Sequence, residues 1–150
     1  MFLTPKDGEL HVLDDEDVIS VYAIDEAEYN WYSDDGVFWL TIFAECLEKL
    51  SPDDQNLEPN LELNLFFHTD QKGNVRRGTV LKAPSYDEKF YNLTNMCYGS
   101  HDAFECAKIT IEDERPGGLL LHIKGECNGG DPVALRSWFS ESRDRTRSLD

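Results

Sequence analysis

Clustered carboxylates decide where this chain must meet water, and so limit the elements it can fold into. Thirty Asp and Glu stand against fourteen Lys and Arg, with the surplus gathered at Asp14-Asp15-Glu16-Asp17, Asp25-Glu26-Ala27-Glu28, Asp34-Asp35, Asp53-Asp54, Asp87-Glu88 and Glu112-Asp113-Glu114. Ionised side chains are rarely buried without a partner, so each cluster marks a surface segment, and turns are the natural place for it. Between the clusters no apolar run approaches the ~20 residues of a membrane-spanning helix. Residues 1–7 show neither a basic n-region nor an apolar h-region, and a cytoplasmic protein is expected.

The chain is nevertheless built to fold. Hydrophobic residues make up 40% of it, with eight Phe, six Tyr and three Trp, a supply that disordered segments lack. At 150 residues it matches one domain, and residues 1–150 are expected to form a single acidic globular domain with a flexible tail after about residue 143.

Glu9 to Leu13 and Val18 to Ile24 read as a hairpin around the 14–17 acids. Leu61, Leu63, Leu65 and Phe67 alternate with Glu62, Asn64, Phe66 and His68 as a strand, with Val75 to Leu81 expected to return as its hairpin partner. Phe104 to Ile111 and Leu119 to Glu126 form a late hairpin around residues 112–118, with Leu119, Leu121 and Ile123 facing the core. Residues 83–101 form a long excursion with a short strand near Phe90 to Leu93. Two segments read as helices. Trp39, Ile42, Phe43, Cys46, Leu47 and Leu50 have the spacing of one helical face over about 39–50, although Val37 to Phe43 has the composition of a strand. Asp131-Pro132 resembles a helix cap and first turn, so a C-terminal helix is expected over about 132–143. The expected fold is α+β, an antiparallel sheet of hairpins with both helices on one face.

Chemistry-bearing motifs are few. Phosphate loops, nucleophile elbows, HExxH and EF-hand loops are absent from the sequence, and no cofactor is expected. Cys46, Cys97, Cys106 and Cys127 contain no CxxC pair, and reduced structural thiols are favoured over a metal set of Cys97, His101, Cys106 and Cys127. His101 and Asp102 beside a cysteine are the best local material for an enzyme, and ordinary turn and core residues are the favoured account of them.

A formal charge of -16 repels nucleic acid and anionic membranes and attracts basic proteins, so neither direct nucleic-acid binding nor membrane binding is expected. The expectation is a non-catalytic protein that occludes a basic partner, as an immunity protein or toxin inhibitor does. Asp14, Asp15, Glu16, Asp17, Asp25, Glu26, Glu28, Asp34 and Asp35 would meet cationic side chains, while Tyr29, Trp31 and Tyr32 would fill the partner's pockets. The alternatives are a phage-type DNA mimic, which needs acids in rows along extended elements, a small Cys/His/Asp enzyme, and an accessory domain with no inhibitory role. Solubility or a saline source would explain the same acidity.

Overall fold

A computed structural model describes residues 3–13, 17–34, 37–50, 61–69, 77–78, 80–82, 95–98, 100–103, 105–127 and 131–142. The described strands are β1 (Glu9–Leu13), β2 (Ile19–Asp34), β3 (Val37–Lys49), β4 (Leu61–Thr69), β5 (Val80–Lys82), β6 (Asn95–Tyr98), β7 (Ser100–Ala103), β8 (Glu105–Arg115), β9 (Gly118–Cys127) and β10 (Asp131–Glu141). They form one sheet in the order β5-β8-β9-β10-β1-β2-β3-β4-β6-β7. There is no helix among the described residues, and so none long and apolar enough to cross a membrane. The α+β expectation is overturned: the fold is all-β.

Both expected helices are strands, for one physical reason. In β3, Ile42, Ala44 and Cys46 are buried at a period of two and join the core, while Phe43 is buried on the opposite face. A strand apolar on both sides produces matches at i, i+3 and i+4 that imitate a helical stripe. The β-branched and aromatic content of Val37 to Phe43 was the truer signal. In β10, Val133, Leu135, Ser137 and Phe139 are buried at the same period. Pro132 is tolerated because pairing with β1 extends only to Val133, which leaves β9 alone beside the proline.

The hairpins are partly as expected. β1 pairs antiparallel with β2 from Leu13↔Ile19 to Glu9↔Ala23, and β8 pairs with β9 around a turn of only Pro116 and Gly117. The expected pairing of 75–81 with 61–68 is replaced: β5 bonds to β8, while β4 lies between β3 and β6. The strand expected near 90–93 lies outside the described residues.

β1 is a wedge. It separates β10 from β2 over Glu9 to Val12, and at its start Gly8 adopts a positive φ of 84° that a side chain would strain. The Gly8 N–H donates to the Arg136 carbonyl at 2.7 Å, and its own carbonyl accepts from the Ile24 N–H at 2.8 Å, so one residue ties the two flanking strands together. Beyond it β2 changes register between Ala23 and Glu26 and swings onto β10, where Ser140↔Glu28 and Glu141↔Tyr29 pair in parallel. Such bulges bend a strand and sharpen its twist. The sheet rolls until β5, first in the order, comes back against β4, eighth in the order.

An eight-stranded roll has an interior that side chains can fill. Here Leu10, Val12, Tyr22, Tyr29, Ile42, Ala44, Cys46, Ile109, Ile111, Leu119, Leu121, Ile123, Val133, Leu135 and Phe139 form one buried cluster from six strands. Leu3, Leu13 and Ala134, with Ile19 against them, form a smaller cluster on the outer face of β1 and its neighbours.

Candidate functional site

The strands β2 to β4 carry Asp25, Glu26, Glu28, Asp34, Glu45, Glu48 and Glu62 against a single cation, Lys49. Register arranges part of this charge in a file: Glu26 is opposite Glu45, and Glu45 is opposite Glu62. Directly opposed residues share a sheet face with Cβ atoms ~4.5–5.5 Å apart, and like charges so placed destabilise the pair. Asp25 and Glu26 are exposed, and Glu28 and Glu45 are half-buried. Two clusters expected in turns are thus carried wholly or partly on strands. The 25–28 acids lie within β2, and the acids 112–114 lie within β8.

The remaining expected site residues distribute along β2 instead of converging. Asp17 is exposed, with a φ of 61°, just before β2, whereas Asp34 ends that strand. The sixteen-residue strand that lies between them runs for up to about 50 Å along its own length, at ~3.3 Å per residue. Asp14, Asp15, Glu16 and Asp35 lie outside the described residues. Trp31 is paired with Leu40, Tyr32 with Trp39, and Asp34 with Val37. Tyr29 is only 7% exposed within the main core, so it is not positioned to fill a partner's pocket. Burial, and then the charge of Glu141, raise its phenol pKa.

A second polar group, missed in the sequence, occupies the outer face of β8, β9, β10 and β1. Arg136 Nε donates to Glu112 Oε2 at 2.5 Å, and its Nη1 donates to Asp7. Glu112 Oε1 stands 3.6 Å from His122 Nδ1, and Glu9 Oε1 lies 3.1 Å from His11 Nε2. The bond to Glu112, together with the charges of Glu112 and Asp7 and the bond to Asp7, holds the Arg136 pKa above its usual value. His122 is pushed the other way, first by burial and then by Lys124, Arg136 and Lys108, which outweigh Glu112; its Nε2 is buried without a hydrogen-bond partner. Glu9 is held low because the Lys6 N–H and His11 outweigh the effect of its burial. Asp7 and Arg136 are 129 positions apart, and only the register of β1, β9 and β10 reveals their meeting.

The Cys/His set is divided by the sheet. Cys97 in β6 is opposite His101 in β7, and on its other side Cys97 is opposite Glu62 in β4. Asp102 is opposite Met96, so it falls on the other face from His101. Cys106 and Cys127 belong to β8 and β9, which have no register pairing with β6 or β7. Cys46 is a buried free thiol whose pKa is pushed up to about 12 by burial, then by Asp25 and Glu45, which leaves it unreactive.

Comparison of this chain with protein-family models, curated proteins and solved structures finds no match in any of the three. Its function is therefore read from the geometry alone.

Proposed function

We propose that this chain is a non-catalytic acidic protein that binds and occludes a basic protein, acting as an immunity protein or inhibitor toward a cationic toxin. The observation that supports this most is the file Glu26, Glu45 and Glu62 on strands almost devoid of cations. Opposed carboxylates cost the free protein stability, and a partner's Lys and Arg would relieve that cost on binding. Complementary fields would also speed the encounter, and salt would slow it.

The experiment is capture of partners from source lysate at low and high salt, using the wild type and Glu26→Lys/Glu45→Lys. The reading requires a basic protein that is retained at low salt, released at high salt and lost with the double variant. Failure to recover such a partner, or unchanged capture by the variant, would reject it.

A DNA mimic is a second reading, favoured by the acids that β2, β3 and β4 carry along their length. It requires that the captured protein be a nucleic-acid enzyme and that duplex DNA compete for it.

A further inference from the structure

We infer that residues 3–8 form a strap over the outer face of the sheet, and that protonation of His122 releases it. These residues precede β1 without joining a strand, and Leu3 packs against Leu13, Ala134 and Ile19. Polar contacts fasten the base of the strap. Asp7 accepts from Arg136 Nη1, the Gly8 N–H donates to the Arg136 carbonyl at 2.7 Å, and the Lys6 N–H donates to Glu9 Oε1 at 3.0 Å. Arg136 in turn is held by Glu112, whose Oε2 accepts from its Nε at 2.5 Å.

The same carboxylate serves His122. Glu112 Oε1 stands 3.6 Å from His122 Nδ1, and register sets His122 directly opposite Arg136. A neutral imidazole leaves Glu112 to the guanidinium. An imidazolium competes for that carboxylate and adds a second positive charge beside Arg136, at the ~4.5–5.5 Å Cβ separation where like charges repel. Lys108 and Glu112 face His122 from β8, Lys124 from its own strand and Arg136 from β10, with Glu9 and Asp7 on the far side of Arg136. Its buried Nε2 has no hydrogen-bond partner among the described residues, so an imidazolium would carry a second N–H with nothing to accept it. Burial, then the neighbouring cations, hold His122 below its ordinary 6.5. The strap is therefore fully closed above that value and loosens as pH falls through and below it, because an opened form that frees the ring takes up the proton first. Glu9 behaves otherwise: its burial is outweighed by the Lys6 N–H and His11, so it stays ionised over this range and keeps its bond to Lys6. Loosening bares the apolar patch of Leu13, Ala134 and Ile19 that Leu3 covers. The device is separate from the acidic file and does not depend on the binding proposed above.

Residue-resolved amide hydrogen exchange of the full chain between pH 7.5 and 5, corrected for intrinsic exchange rates, tests this. Gly8 should be less protected than Leu121 and Leu135 at every pH, and its protection should fall at least about threefold toward pH 5 in the wild type. The fall should vanish in His122→Gln and persist in His11→Gln. Protection of Gly8 equal to that of Leu121 and Leu135 would mean that the strap opens only with the whole protein, and would overturn the inference. So would a wild-type protection that does not change with pH, a fall that survives in His122→Gln, or one that is lost in His11→Gln. Should His122→Gln fail to fold, NMR titration of the wild type decides: the His122 ring and the Gly8 amide must titrate with one midpoint, and different midpoints overturn the coupling.

Discussion

Single residues on the outer face of β8 to β10 tie stability to pH. His122 faces Glu112 and Thr110 from β8, Lys108 beyond them, Lys124 on its own strand and Arg136 on β10. Its folded pKa lies below the ordinary value of 6.5, so the unfolded chain takes up the proton first as pH falls. The stability due to neutral His122 is therefore complete above that value and is lost as pH drops through and below it. Chemical denaturation between pH 7.5 and 5 should show a steeper loss in the wild type than in His122→Gln; parallel slopes would reject the linkage. Tyr29 offers a second test at this scale. Tyr29→Ala should cost about 3–5 kcal/mol, the range for removing a large buried ring, whereas Tyr29→Phe should keep partner capture at the wild-type level. Urea titration and the capture assay read the two effects separately.

Strands were legible where one face is apolar and the other polar. Leu61 to His68 alternates cleanly and forms β4, and Leu119, Leu121 and Ile123 are buried in the core as their spacing implies. Legibility failed where a strand is apolar on both faces. Ile42 and Cys46 look inward while Phe43 is buried on the other side, so period two was hidden beneath a helical pattern in β3. Asp131 and Pro132 looked like a helix start because the same residues suit a strand that has a neighbour on only one side. The candidate site was less legible still: the acids were visible, but their opposition across β2, β3 and β4 depends on a register that a bulge within β2 sets. Far-UV circular dichroism should show a β spectrum without the double minimum of helix. The β8–β9 hairpin supplies a sharper measurement. Pro116 and Gly117 have the residue pattern of a type II turn, and Gly117 has a φ of 71°. Gly117→Ala should destabilise by about 1–2 kcal/mol in urea, and a neutral result would argue against this turn.

For the molecule as a whole, both halves of the sheet are acidic, and they differ in their cations. β8 to β10 carry Glu105, Glu112, Asp113, Glu114, Glu126, Asp131 and Glu141 with Lys108, Arg115, Lys124 and Arg136 among them, while the acids of β2 to β4 have only Lys49, so formal charge is more negative on the latter strands. Lys substitutions at Glu26 and Glu45 should reduce low-salt association with a basic partner by at least about tenfold, chiefly through the on-rate, and the difference should shrink at high salt. Stopped-flow measurement across ionic strengths checks this. The central place of β10 also bears on how the protein is made. A ribosome releases β1 long before β10, yet the early strand is flanked by β2 and β10, and Gly8 closes its start only by bonding to Arg136. The emerging chain therefore holds an unfinished middle until β10 is out, and productive folding of this sheet waits for that strand. Pairings so distant along the sequence place refolding in the millisecond-to-second regime, slow enough for a chaperone to take part.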